Sequence, residues 1–341
     1  MRGSGRWRAL GAVLSALTVL AVVAGVILWR YPSDTYLLLP DKAHPAADVV
    51  TVKNAKPDND SGGIYFLDVI ERKASVLEDM FHQIVESGAS FVPPAQVVPT
   101  GVSESQSEQV DLGEMALSQQ IAAAVAEDAL GYKVITNPSG ARVFLIEGGA
   151  PADGKLLPGD VIVSVDGHPV KTSNGARALL RKRRPGDVVK LGVRRNGGLL
   201  TVSIKTIPEP GHPRIPIVGI LIDQAADIHL PVPVTIQTGN IGGPSAGLAF
   251  ALEVMEQLGR DVDRGYKVAA TGEIFLDGQV GPIGGIEQKT IGARRSGVDI
   301  MLVPAGDNAK GARKYAGHMR VIAVDSFQQA LHALATLPPK H

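Results

Sequence analysis

Gly242-Gly243-Pro244-Ser245-Ala246-Gly247 and Pro282-Ile283-Gly284-Gly285-Ile286-Glu287-Gln288-Lys289 are the stretches on which the reading of this chain turns. Upstream of the first, Pro231-Val232-Pro233-Val234-Thr235-Ile236 alternates as a strand does, and Gln237 to Ile241 turns. Downstream, Leu248, Leu252 and Met255 share one face, which predicts an amphipathic helix to Gln257. Ser245 therefore stands at a glycine-rich strand-to-helix junction. Such a junction suits a nucleophile: Gly243 and Pro244 leave room for a substrate backbone, and free N–H groups with the helix dipole stabilise an oxyanion. Taken alone, a Gly-Gly-Pro-Ser helix start is more often just an N-cap, which serine supplies readily.

The second stretch changes the balance. Thr271-Gly272-Glu273-Ile274 leads through Gly278-Gln279-Val280 into the Pro-Ile-Gly-Gly turn that precedes Lys289. Taken with the Gly-Pro-Ser-Ala-Gly motif, this order and spacing resembles the proteolytic domain of Lon peptidases (family S16) over residues 213–338. The resemblance implies that Ser245 is the nucleophile, that Lys289 is the general base, and that Thr271 hydrogen-bonds the lysine. The chemistry is coherent. A serine hydroxyl needs a base to take its proton. A free lysine, with a pKa of ~10.4, is protonated at neutral pH, and burial disfavours that ammonium. Ile283-Gly284-Gly285-Ile286 and Ile291-Gly292-Ala293 make an apolar setting for it. An ordinary exposed helix lysine is the competing reading.

Working outward, Val143-Phe144-Leu145-Ile146, Gly149-Ala150-Pro151-Ala152-Asp153-Gly154 and Leu157-Pro158-Gly159-Asp160-Val161-Ile162-Val163-Ser164-Val165-Asp166-Gly167 resemble the signature of PDZ domains. Ser173 to Arg183 then suits the helix that flanks a PDZ peptide groove. Val188 to Ile207 reads as a hairpin through Asn196-Gly197-Gly198. Leu130-Gly131-Tyr132 sits where PDZ domains place the loop that binds a peptide C-terminus, with the next strand pairing with that peptide. Alternatively, Leu130 and Tyr132 are core residues after a helix.

At the other end, Ala9 to Trp29 is uncharged and rich in Leu, Val and Ala. About 21 residues of helix span roughly 31 Å, the thickness of a bilayer's hydrocarbon core. Arg2, Arg6 and Arg8 precede the run, Trp7 and Trp29 flank it, and Asp34 and Asp41 offset Arg30 beyond it. The positive-inside rule predicts a single-pass anchor with a cytoplasmic N-terminus and an extracytoplasmic bulk. A cleaved signal peptide is the competitor, although Val-Ile-Leu-Trp-Arg is a poor cleavage site.

Between anchor and PDZ segment, Asp48–Val52 and Gly63–Ile70 read as strands around a polar turn at Lys56–Gly62. A helix is expected from Ser75 to Glu86, an exposed connector from Phe91 to Glu108, with Pro99-Thr100-Gly101 within it, and a second helix from Asp111 to Ala129. The expected organisation is an anchor at 1–31, a strand-and-helix region at 32–128 that contributes to the protease fold, a PDZ-like domain at 129–208 and a Lon-type domain at 209–341. The fold class is α+β.

Composition narrows the chemistry. There is no cysteine, which excludes disulfides, thiolate zinc sites and a cysteine nucleophile. Lys+Arg and Asp+Glu are both 34, so no net field recruits nucleic acid. The eight histidines show no metal-binding spacing, and no Walker A pattern is present. Trypsin-like chemistry fails at Asn240-Ile241-Gly242-Gly243, where the serine it needs is Ile241. The arrangement resembles the bacterial family of PDZ-containing, Lon-like membrane peptidases. That implies a peptidase without ATP or other cofactor or metal, protein or peptide substrates, a peptide C-terminus in the PDZ groove, and a homo-oligomeric ring, as in a hexamer. A non-catalytic membrane scaffold that binds protein C-termini is the alternative.

Overall fold

The computed structural model describes residues 4–56, 62–98, 103–195 and 197–340. Arg2, the turn at 57–61, Pro99–Gly101 and Asn196 lie outside the described residues, as do the side chains of Arg6, Trp7 and Arg8. Two compact units share the chain: residues up to Pro40 with Val69–Val97, and Asp41–Asp68 with Val98 onward.

The first unit begins with one helix, Ser4–Arg30. Its Gly11–Arg30 portion has a mean hydropathy of 2.5 and no buried face, so it is a candidate membrane span or signal sequence. A three-stranded antiparallel sheet follows, with Pro32–Pro40 between Val69–Ser75 and Ser90–Val92. The helix expected to reach Glu86 stops at Met80: Phe81 leaves helical dihedrals, and a single 3-10 turn, His82–Ile84, succeeds it. Its start is well capped, because Ser75 and Glu78 form a reciprocal capping box. The run read as one strand, Gly63–Ile70, breaks at Leu67-Asp68, and its halves pair in different sheets.

In the second unit, a five-stranded sheet has the order His44–Pro45, Gly63–Phe66, Lys267–Ala270, Ile300–Pro304, Arg320–Val324. The last four are parallel. Parallel strands need both faces covered, and two apolar clusters supply this. One gathers Phe66, Val268 and Leu302 with Leu248, Phe250 and Leu252. The other gathers Leu67, Ala269, Met301 and Val303 with Ala293, Ala309 and Ala312.

The helix after Ser245 is Gly247–Gln257, and every residue from Gly247 to Met255 is buried. The sequence pattern predicts one apolar face; the structure makes this a core helix, covered on its far side by a second long helix. That helix, Glu104–Ala129, starts within the segment expected to be a connector. Met115, Ile121, Ala122, Val125 and Ala126 are the residues it buries against the first cluster.

The PDZ segment has its own core, including Val143, Ile162, Leu191 and Ile204. Its sheet runs Gly198–Lys205, Val188–Arg195, Val161–Val165, Ile135–Ile146, Ile220–His229. The last strand had no sequence signal of its own. It pairs antiparallel with Ile135–Ile146 from Ile220↔Ile146 to His229↔Ile135. A two-stranded ribbon thus leads into the PDZ domain and back out toward Ser245.

Glu256, near the end of the core helix, accepts hydrogen bonds from the N–H groups of Val262 and Asp263 at 2.6 and 2.8 Å. Burial nevertheless pushes its carboxyl up to about 8. The folded chain therefore holds this proton more tightly than the unfolded chain, and stability falls as pH rises from about 4.5 to about 8. Glu256→Gln keeps the acceptor and removes the ionisation. Thermal melts should show the variant gaining on the wild type across that window, by roughly 2–4 °C per kcal/mol recovered.

Candidate active site

Ser245 is held by its backbone before its side chain acts. Gly243 has φ 80°, a left-handed conformation that glycine takes without strain, and Pro244–Ala246 forms a 3-10 turn. A side chain at Gly242 would meet the Asp111 Cβ at 2.7 Å, so the turn lies directly on the long helix. The Ser245 carbonyl accepts from the Thr271 hydroxyl at 3.1 Å and from the Gly272 N–H at 2.7 Å. No side chain caps the helix that follows. The N-cap reading of Ser245 therefore fails, and its hydroxyl is committed elsewhere.

That commitment is to Lys289, whose Nζ donates to Ser245 Oγ at 2.7 Å. Lys289 sits in the helix Ile286–Arg295, which begins after Gly285 in the left-handed conformation. The turn before it is pinned by Asn308, which accepts from the Ile283 N–H at 3.0 Å and donates to the Ile283 carbonyl at 2.8 Å. Lys289 is only 5% exposed, which rules out the exposed helix lysine. Burial pushes its ammonium down to about 8, against the opposing pull of the Asp68 carboxylate. Thr271 is fully buried beside the pair, but its hydroxyl goes to the Ser245 carbonyl rather than to the lysine that the resemblance implied.

Asp68 belongs to a group that sequence reasoning did not find. His44 Nε2 lies 3.0 Å from Asp41 Oδ2 and 3.3 Å from Asp68 Oδ1, and its ring stacks on Phe66. Burial and the neighbouring Asp41 push the Asp68 carboxyl up, while His44 opposes them. Asp41 also packs against the lysine helix: its carbonyl lies where a side chain on Gly292 would be. Asp41, His44 and Asp68 have the donor types that take a divalent cation. Their mutual distances are those of a hydrogen-bonded set. The residues are scattered over two short segments, with no motif to flag them.

The expected carboxylate loop of the PDZ domain does not form at Leu130-Gly131-Tyr132. Those residues close the long helix. The N–H groups of Leu130, Gly131 and Tyr132 donate to the carbonyls of Ala126, Asp128 and Glu127, and Gly131 takes φ 85°. Leu130 packs on the first core cluster, as the alternative reading had it, whereas Tyr132 is exposed and is not a core residue. The groove-flanking helix, Ser173–Leu180, lies instead beside the edge strand Ile220–His229, where Arg177 donates to the Ile222 carbonyl at 2.6 Å.

Residues 216–336 match the family model of the Lon protease (S16) C-terminal proteolytic domain, and residues 128–206 match that of the PDZ domain. The chain thus carries one segment similar to a PDZ domain and another similar to the Lon proteolytic domain. Among its relatives are Lon protease 2 of Bacillus subtilis (strain 168), 36% identical over 113 residues, and Lon protease 1 of Sorangium cellulosum (strain So ce56), 42% identical over 87. These matches cover 33% and 25% of this chain, but only 20% and 10% of the relatives. The peroxisomal Lon protease homolog 2 of Caenorhabditis elegans is 27% identical over 51% of this chain and 21% of its own length. The chain therefore spans about a fifth or less of these relatives' lengths. Among solved structures, the PDZ domain of the SdrC-like protein Lmo2051 from Listeria monocytogenes aligns with 25% of this chain and 87% of its own, at 25% identity and a TM-score of 0.23.

Proposed function

We propose that this chain is a serine endopeptidase in which Ser245 and Lys289 form the catalytic dyad. The observation that carries this reading is the 2.7 Å contact between Lys289 Nζ and Ser245 Oγ, made by a lysine buried to 5% exposure. Neutral Lys289 takes the proton of Ser245 as Oγ attacks the carbonyl carbon of a peptide bond. The resulting ammonium returns that proton to the departing amine, leaving an acyl-enzyme. Water, deprotonated by the same amine, then attacks the ester and releases the second product. The Pro244–Ala246 turn and the following helix start face the developing oxyanion with positive potential.

Ser245→Ala and Lys289→Ala should each lower casein cleavage by about a thousandfold or more while leaving the fold intact. A serine-directed fluorophosphonate should label the wild type and not Ser245→Ala. Labelling of both, or wild-type cleavage by Lys289→Ala, rejects the dyad.

Activity requires the neutral amine, so its acid limb should lie near pH 8. The Asp68 carboxylate favours the ammonium. Asp68→Asn should therefore move that limb to lower pH, read from the pH profile of kcat/KM. A limb that stays in place removes Asp68 from the electrostatics of the base.

The remaining elements fit an ATP-independent enzyme that takes exposed or unfolded chains. The sequence contains no Walker A motif to drive unfolding. Flexible casein-like chains should be cleaved at least tenfold faster than compact, folded substrates without ATP, and equal rates count against this. The apolar helix supports a membrane anchor with a cytoplasmic N-terminus and the catalytic bulk outside. The edge strand Ile220–His229 beside the helix Ser173–Leu180 supports recruitment or regulation by β-augmentation: a peptide C-terminus would displace Arg177 from the Ile222 carbonyl. Assembly into a homo-oligomeric ring rests on the Lon resemblance. A scaffold without catalysis is disfavoured because an inert domain has no need of a buried lysine on a serine hydroxyl.

A further inference from the structure

The turn that carries Ser245 is held in place by a helix that lies, except for its last two residues, outside both matched domains. The long helix Glu104–Ala129 runs up to the start of the PDZ match at residue 128 and is separated from the Lon match by the PDZ domain. From Val232 to Gly243 the chain runs antiparallel along it and at Pro244 turns back, bonded at four points in all. Glu127 Oε2 accepts from the Val232 N–H at 3.1 Å, and Gln119 Nε2 donates to Thr238 Oγ1 at 3.0 Å. Ser118 Oγ donates to the Pro244 carbonyl at 3.0 Å, and the Asp111 carbonyl accepts from the Gly243 N–H at 2.8 Å. From Asp111 to Glu127 the helix is about 24 Å long. One rigid rod thus lines the whole approach to the nucleophile.

We propose that this helix is a splint that sets the reactive position of Ser245, with Ser118 as the principal positioning residue. Ser118 is 2% exposed, and its hydroxyl bonds the carbonyl of the peptide unit whose nitrogen belongs to Ser245. On the other side of Ser245, its own carbonyl is bonded by Thr271 Oγ1 and the Gly272 N–H. The nucleophile is therefore clamped between two layers, and either one alone leaves the Pro244–Ser245 segment free to rotate. Close packing supports the same role: a side chain on Gly247 would come 2.6 Å from Ser118 Oγ. Such rotation would carry Oγ out of line with Lys289 Nζ, and misplacement of about an ångström at a reacting atom costs up to a hundredfold in rate. The Glu127–Val232 bond staples the base of the ribbon that carries the PDZ domain, because both chain directions enter that ribbon there.

This inference rests on Ser245 being the nucleophile, so its test reads position and reactivity separately. In the full-length protein, hydrogen exchange would be followed over residues 238–247 for wild type, Ser118→Ala and Gln119→Ala, alongside fluorophosphonate labelling of Ser245 and thermal melts. Loss of protection in that segment, with labelling and kcat about tenfold slower at unchanged KM and an unmoved acid limb, is the expected result. Unchanged exchange, or labelling within twofold of wild type once corrected for folded fraction, overturns the splint. Gln119→Ala, a half-buried and milder change, decides the matter if Ser118→Ala fails to fold. If wild type itself is unlabelled, the peptidase reading falls, and the exchange data still decide the splint.

Discussion

Most of this architecture follows from one requirement, that a lysine be buried without an equal and opposite partner. Its ammonium loses hydration and gains only the pull of Asp68, so the neutral amine becomes accessible near physiological pH. That state persists only while water stays out. The parallel sheet, the two apolar clusters and the helix Gly247–Gln257 keep it out by covering both faces of the strands beside Thr271. Asn308 then fixes the turn that launches the lysine helix, so that Nζ meets Oγ at hydrogen-bond distance. In the proposed mechanism the same burial that orders the fold makes the base neutral.

The PDZ domain enters this arrangement through its ribbon. Ile135–Ile146 continues from the long helix that lines the serine turn, and Ile220–His229 continues into the loop that bears the serine. A domain inserted on such a ribbon folds around its own core without interrupting the core that packs against the parallel sheet. At the ribbon's base, Glu127 bonds the Val232 N–H and ties the two chain directions together. Arg177 donates to the Ile222 carbonyl of the strand at the edge of that sheet, the strand to which the proposed function adds a peptide. In the proposed function, peptide binding and the alignment of the serine turn would share one element.

Much of the site was legible because the chemistry is local. Gly243 and Gly285 take backbone conformations that favour glycine, and Ser245 and Lys289 follow each of them by a fixed number of residues. Local grammar failed where partners were distant. The packing of Asp111 against Gly242 has no motif, and neither do Ser118 on Pro244 or His44 between two aspartates. Leu130-Gly131-Tyr132 misled for the opposite reason: an apolar-Gly-apolar triplet caps a helix as readily as it binds a carboxylate, and only the spent N–H groups separate the two.

Short-range pattern was enough to specify the membrane-length helix, the PDZ and Lon-type segments and the two residues of the proposed dyad. Each of these is written in local terms: apolar run length, glycine placement, and motif order. Three-dimensional packing was needed to establish that Lys289 is buried, that the run Gly63–Ile70 divides between sheets, and that Thr271 holds the serine carbonyl. Burial and hydrogen-bond partnership depend on segments far apart in the chain, and their energies exist only once those segments are packed together.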